Sequence, residues 1–247
     1  MYEGNSEQDK SEINAVSISV FFPCYNEEEN VRGTTDRAVS VLEGINSDYE
    51  LILVNDGSKD NTRQIAKELA SENPRIKVVN HQRNLGYGAA LQSGFNASTK
   101  PLVFYTDGDG QFDISEMPGL LELIPAYDIV SCYRIRRQDS FIRKLNAWGW
   151  TQLGCFLFRM KIRDVDCAFK LYKREIFDNI KMTSTGALID TEILARAKRK
   201  GYKITQRGVH HYPRTAGEQS GANIKVILRA FKELFGLYHQ LKKENKS

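Results

Sequence analysis

The sequence has no apolar run approaching the about 20 residues that a bilayer-spanning helix needs, so any membrane role read from it is peripheral. Residues 1–14 are polar and partly acidic and lack the apolar stretch of a secretory leader. Cysteine is scarce: Cys24, Cys132, Cys155 and Cys167 stand far apart, with no CxxC pair and no zinc-finger spacing. That excludes a disulfide scaffold and points to reduced thiols in a cytoplasmic protein. Excess charge is also small, because 35 Lys and Arg against 31 Asp and Glu leave +4, far below what a dedicated nucleic-acid binder carries. No internal repeat or low-complexity tract interrupts the chain. What remains is ordinary globular material: 247 residues, 41% hydrophobic and 27% charged, enough for one large α/β domain or two small ones.

The pattern along the chain alternates. Apolar runs at 16–22, 49–55, 76–80, 102–106 and 128–132 read as strands, with helices between them at about 60–72, from Ala90 onward and near 115–124. Asn26-Glu27-Glu28-Glu29-Asn30 reads as a helix start with acids in its first turn. Alternation of this kind implies parallel strands joined by right-handed crossovers. Polar clusters follow each strand, at the carboxyl edge where open α/β sheets bind ligands. The second half reads as an aromatic helix at 141–158, a short strand at 168–172, a helix at 190–200 closed by Gly201, a strand at 203–209 and a last helix at 222–242. The expected organisation is a polar tail over 1–14, one domain over 15–221 and a C-terminal amphipathic helix and tail over 222–247. Within that domain the halves meet near residue 133.

The most informative stretch is Phe104-Tyr105-Thr106-Asp107-Gly108-Asp109-Gly110-Gln111-Phe112. On an extended backbone, alternation points Asp107, Asp109 and Gln111 the same way. Such hard oxygen ligands suit Mg²⁺ or Mn²⁺. The competing reading is a strand that ends in an Asp/Gly turn. Asn84-Leu85-Gly86-Tyr87-Gly88 lacks the full GxGxxG spacing and a following ribose-binding acid, so it is not a dinucleotide fingerprint.

Six stretches occur together and in order: Phe22-Pro23-Cys24-Tyr25-Asn26-Glu27, Val54-Asn55-Asp56-Gly57-Ser58-Lys59-Asp60, Asn84 to Ala89, Asp107 to Gln111, Asp164-Val165-Asp166-Cys167-Ala168-Phe169-Lys170, and Arg214-Thr215-Ala216-Gly217. Together they resemble the inverting family 2 glycosyltransferases of GT-A fold, in particular the dolichyl- and polyprenyl-phosphate mannose or glucose synthases, without the C-terminal transmembrane helices that many of those carry. The resemblance implies a mostly parallel sheet flanked by helices. It implies transfer of a hexose from a GDP-mannose- or UDP-glucose-like donor to a polyprenyl phosphate, on the cytoplasmic membrane face.

Carried over residue by residue, the resemblance makes Pro23, Tyr25, Glu27 and Asp56 the wall of the nucleotide pocket. Asn55 departs from the family's usual acid at its position. Gly86 and Gly88 would allow close backbone approach beside the sugar nucleotide. Asp107, Asp109 and Gln111 would hold the Mg²⁺ or Mn²⁺ that bridges the two phosphates. Arg134, Arg143 and Arg214 would contact phosphate, where a planar fork suits the geometry. Asp164 would lie near the acceptor. Asp190 and Glu192 sit where hydroxyl-accepting relatives carry their base, although Asp190 also suits a helix N-cap. Asp109, Asp164, Arg143 and Asp190 are thus the catalytic candidates. A phosphate acceptor needs no deprotonation, whereas a sugar hydroxyl does. A polysaccharide or glycan hydroxyl is therefore the alternative acceptor, and a non-catalytic nucleotide-binding module is the other reading. His210 and His211 lack a third ligand at zinc spacing. The aromatic helix and the last helix, with Ile224, Ile227, Phe231, Leu234, Tyr238 and Leu241 at spacings of three and four, read as core packing, as interfacial membrane contact or as a helix–helix contact with a partner chain.

Overall fold

A computed structural model gives the architecture and describes residues 17–45, 47–135, 141–214 and 224–244. Its main sheet has seven strands in the order β3-β2-β1-β4-β7-β5-β8, where β1 is Ser17–Cys24, β2 Asp48–Asn55, β3 Ile76–Asn80, β4 Leu102–Thr106, β5 Ile129–Ser131, β7 Phe169–Lys173 and β8 Ile204–Thr205. Helices α1 (Val31–Gly44), α2 (Thr62–Glu72) and α3 (Tyr87–Ala97) cross between the first four strands, which pair in parallel as the alternating pattern requires. These strands read as continuous apolar runs because both faces are covered; Ile18, Val20, Phe21 and Phe22 are each 0% exposed. Phe21 stacks on Tyr105 at 5.4 Å and meets Phe95 of α3 edge-on at 4.9 Å, fastening helix to sheet.

The sheet is not wholly parallel. β7 enters between β4 and β5 and runs antiparallel to both, with Tyr105 opposite Lys170 and Ser131 opposite Lys170. The reversal has a consequence for chemistry: the start of β7, and the Asp164–Cys167 loop before it, lie at the carboxyl ends of β4 and β5. The expected 203–209 strand splits. Gln206 turns out to donate to the Lys161 carbonyl (2.8 Å) and accept from the Arg163 N–H (2.7 Å), so β8 stays in the main sheet while β9 (Gly208–His210) pairs with β6 (Tyr133–Ile135). The helix expected at 115–124 is reduced to a 3₁₀ turn, Ile114–Glu116, and the short α4 (Pro118–Leu121), since Pro118 has no N–H to continue the turn before it. Residues 26–30 form turns ahead of α1 rather than its first turn.

Helix α5 (Phe141–Phe158) forms where the aromatic stretch predicts it. After it come α6 (Glu175–Asn179), α7 (Ile189–Arg199) and the C-terminal α8 (Ile224–Glu244). Leu234, Leu237 and Leu241 of α8 are buried, Phe231 packs edge-on to Trp150 of α5 at 5.4 Å, and Glu244 pairs with Arg196 of α7 at 3.2 Å. Part of the stripe expected to meet a partner chain or a membrane is therefore used within the chain. Among the described residues no helix is long and apolar enough to cross a membrane.

Candidate active site

β4 ends at Thr106 and the chain turns at once, with Gly110 at φ +73°, a left-handed position that favours glycine. Alternation on an extended backbone therefore does not orient Asp107, Asp109 and Gln111; an Asp/Gly turn does. The Asp109 carboxylate accepts from the Gln111 N–H at 3.0 Å, and Asp107 Oδ1 accepts from the Tyr87 hydroxyl at 3.1 Å. Burial, then the neighbouring Asp109 charge, pushes the Asp107 carboxyl up to about 8, and burial also raises Asp109. Two half-buried acids that repel one another are the electrostatic complement of a cation. No third His, Cys, Asp or Glu gathers with them among the described residues, so the chain would supply two carboxylates and leave the remaining positions to diphosphate and water. That donor set fits Mg²⁺ or Mn²⁺. Gln111 sits beside them with its amide nitrogen donating to the Tyr212 carbonyl at 2.9 Å, which aims its side chain along the β9 extension.

That extension builds the next wall. Tyr212 donates its N–H to the Gln111 carbonyl (2.8 Å), and Glu116 accepts from both the His210 N–H (2.9 Å) and its Nδ1 (3.0 Å). The strand end delivers Arg214 to Glu27 Oε1 at 2.6 Å and to within 3.8 Å of Asp109 Oδ2. Glu27 is 8% exposed, binds Asn30 Nδ2 at 2.8 Å, and has its carboxyl raised by burial. It is thus tied to Arg214, which reaches Asp109, and it lies ahead of α1 rather than in its first turn. Pro23, next to last in β1, lies opposite Val54, and Tyr25 follows the strand half-buried. Asp56, just past β2, accepts from the Leu85 and Gly86 N–H groups at 2.9 Å each and from His81 Nδ1 at 2.6 Å.

Gly86 and Gly88 pack against the chain's own backbone. A Cβ on Gly86 would lie 2.7 Å from the Thr185 carbonyl oxygen, and one on Gly88 2.6 Å from those of Ser184 and Gly186. The close approach they permit is to the chain's own 184–186 loop. Glu192 holds that loop, accepting from the Thr183 and Ser184 N–H groups at 2.9 and 2.7 Å.

The two acids that the sequence suggests for the acceptor side, Asp164 and Asp190, are both engaged. Asp164 takes a two-pronged contact from Arg134, Nε and Nη2 each at 2.7 Å, so Arg134 holds that carboxylate rather than offering its fork to a phosphate. Asp190 lies inside α7 and is not its N-cap; its Oδ1 accepts from Lys170 Nζ at 2.7 Å and from the Tyr105 hydroxyl. The side chains of Lys170 and Asp190 are 0% and 3% exposed. Asp166 is half-buried beside them, and burial, then the Asp190 and Asp164 charges, pushes its carboxyl up to about 7. Arg143 falls in the first turn of α5, and its side chain, like Thr215–Gly217 of the last motif, lies outside the described residues. Tyr87, Asp166 and Lys170 stand within the motifs quoted above without a role of their own, and His81 lies outside them. A lysine within the apolar run Ala168-Phe169-Lys170-Leu171-Tyr172 was the available signal for a buried ion pair.

The sequence matches Glycosyl transferase family 2 over residues 19–181, about two-thirds of the chain. The chain belongs to glycosyl transferase family 2. It is a glycosyltransferase, and solved structures give its fold as GT-A. Mannosyl-3-phosphoglycerate synthase from Rubrobacter xylanophilus superposes with a TM-score of 0.74 at 18% identity, over 97% of this chain and 78% of that one. Glucosyl-3-phosphoglycerate synthase from Mycobacterium tuberculosis, in complex with Mg²⁺ and uridine-diphosphate, gives 0.70 at 17%, over 96% and 85%. The same synthase with Mn²⁺, uridine-diphosphate-glucose and phosphoglyceric acid gives 0.66 at 19%, over 96% and 83%. The identities are low enough that these likenesses speak for the fold alone. The family match covers five of the six motifs and stops before Arg214.

Proposed function

We propose that this family 2 enzyme transfers a hexose, with inversion, from a nucleotide diphosphate sugar to a polyprenyl phosphate. One observation carries the choice of acceptor. Asp190 is neutralised by Lys170 and bonded to Tyr105, and Asp164 is held on both oxygens by Arg134. Neither of these acids is placed to strip a proton from a hydroxyl. A phosphate oxygen is already an anion and needs no base. It attacks the anomeric carbon in line while the pocket holds the two reactants in register. Asp107 and Asp109 would hold Mg²⁺ or Mn²⁺, which neutralises charge gathering on the leaving diphosphate. Arg214, anchored by Glu27, adds fixed positive charge beside Asp109.

A lipid acceptor is further supported by α5. Leu145, Trp148 and Phe156 are 52%, 61% and 80% exposed, and their spacing puts them on one face. Lys144 lies on the same helix and Arg159, Lys161 and Arg163 follow its end, all four exposed. Apolar side chains rimmed by cations match an anionic bilayer surface.

A hydroxyl acceptor is the second reading, and Asp166 favours it: a half-buried carboxyl raised to about 7 is poised as a general base. The synthases named above make phosphoglycerate glycosides, which keeps a phosphorylated small acid among the acceptors to be assayed. The test is a thermal-shift panel of GDP-, UDP- and dTDP-sugars with and without Mn²⁺. Incubation of the best donor with a short-chain polyprenyl phosphate should then yield an organic-extractable glycolipid. Transfer only to hydroxyl acceptors, abolished in Asp166→Asn, would overturn the phosphate reading.

A further inference from the structure

We infer that the donor carries uracil or thymine, a base with one ring N–H between two carbonyls, and not guanine. The inference rests on the reading of Asp56 as part of the base pocket and adds which base that pocket accepts. An ionised carboxylate has about four acceptor positions, two on each oxygen. Asp56 Oδ1 is filled by the Leu85 N–H at 2.9 Å and His81 Nδ1 at 2.6 Å, while Oδ2 takes the Gly86 N–H at 2.9 Å. Among the described residues no other donor reaches it, so a single acceptor position remains, on Oδ2.

Guanine presents two parallel donors, its ring N–H and its exocyclic amine, which pair with both oxygens of a carboxylate at once. Here the second donor would meet an oxygen already saturated. It would stay buried and unpaired, or it would displace one of the protein's own bonds, and either is costly. The uracil or thymine ring N–H needs one position and finds one. Cytosine and adenine each set a ring-nitrogen lone pair against the carboxylate beside their amine.

His81 is the positioning residue that limits the count. Its side chain is 9% exposed, and its Nε2 lies 2.9 Å from the Ser93 hydroxyl on α3, so the ring is pinned from both sides with Nδ1 donating to Asp56. The remaining donors on Asp56 are backbone groups of the Leu85–Gly86 turn, which a side-chain substitution does not remove.

Titration calorimetry on the full chain with Mn²⁺ tests this, with UDP, dTDP, GDP and N3-methyl-UDP as probes. The expected result is UDP and dTDP at least tenfold tighter than GDP, and N3-methyl-UDP at least tenfold weaker than UDP. In His81→Leu the UDP-to-GDP preference should shrink several-fold as Oδ1 regains an open position, whereas a merely structural histidine would weaken both equally. GDP binding as tightly as UDP in a manner that depends on Asp56 would overturn the inference and leave the pocket assignment standing. UDP and N3-methyl-UDP binding equally tightly, with Asp56→Ala binding all four probes like the parent chain, would overturn the pocket assignment itself.

Discussion

Replacing Asp190 by Asn separates a structural charge from a catalytic base. Lys170 is 0% exposed and its ammonium is 2.7 Å from Asp190 Oδ1, with further bonds to the Cys167 carbonyl (2.6 Å) and the Tyr105 hydroxyl (3.1 Å). Asparagine keeps an acceptor for Tyr105 but leaves the buried lysine without its counter-charge. Stranding one member of a buried pair costs about 3–5 kcal/mol. Against a typical total of about 5–15 kcal/mol that is a large fraction. With a urea slope near the upper end of about 1–3 kcal/mol/M for a chain of this length, the midpoint should fall by about 1–2 M. Turnover per folded molecule, measured well below the transition, should stay within tenfold of the parent. Removing both charges, in Asp190→Leu with Lys170→Met, should recover most of the lost stability, since an apolar pair can replace a buried ion pair at little cost. An Asp190→Asn protein with an unchanged urea midpoint and collapsed turnover would refute the argument and make Asp190 the base.

Three other outcomes follow from the same geometry. Because the Asp107 carboxyl is held near 8, Mn²⁺ must expel a proton below that pH, so apparent affinity should rise between pH 6 and 8 and level off above; calorimetry in two buffers of different ionisation enthalpy reads the proton released, and a flat profile would count against the site. Burial alone would raise Glu50, but Lys77, Ser19 and Thr99 outweigh it and hold its carboxyl at about 2, below the ordinary 4.5. Its stabilisation is therefore complete above pH 4.5 and lost as pH falls toward 2; Glu50→Gln should cost on the order of 2 kcal/mol at pH 7, discounted because Lys77 is 53% exposed, and the gap in urea midpoints should narrow at pH 3. Trp148→Glu with Phe156→Glu should abolish co-sedimentation with anionic vesicles while leaving the urea midpoint unchanged, since both side chains are already exposed.

The first half of the chain was legible because each strand there is a continuous apolar run stopped by a polar cluster. β3 and β4 fall on the expected residues, and α5 does too. β7 was not legible as an antiparallel insertion, since a buried five-residue strand looks the same whichever way it runs. The candidate site divides along the same line. That Asp107 and Asp109 form a pair was readable from their spacing, although the turn that orients them was mistaken for extended chain. The partners of Asp190 and Asp164 were not readable at all, because both pairings depend on where the second half docks.

Gly86 and Gly88 show the limit most clearly. A glycine pair after a strand says that something approaches the backbone closely, but not what. Here it is the 184–186 loop, about a hundred residues away in sequence and held by Glu192, whose partner Arg196 also binds Glu244 of α8. The Leu85–Gly86 N–H groups that fix Asp56 are thus backed by the 184–186 loop, and that loop, through Glu192 and Arg196, by the C-terminal helix. A contiguous set of hydrogen bonds and close contacts therefore runs from α8 to Asp56, so the two halves of the expected domain share one set of supports. Substitutions that loosen Glu192 should for that reason raise the KM for the donor, although Glu192 lies far from Asp56 in sequence.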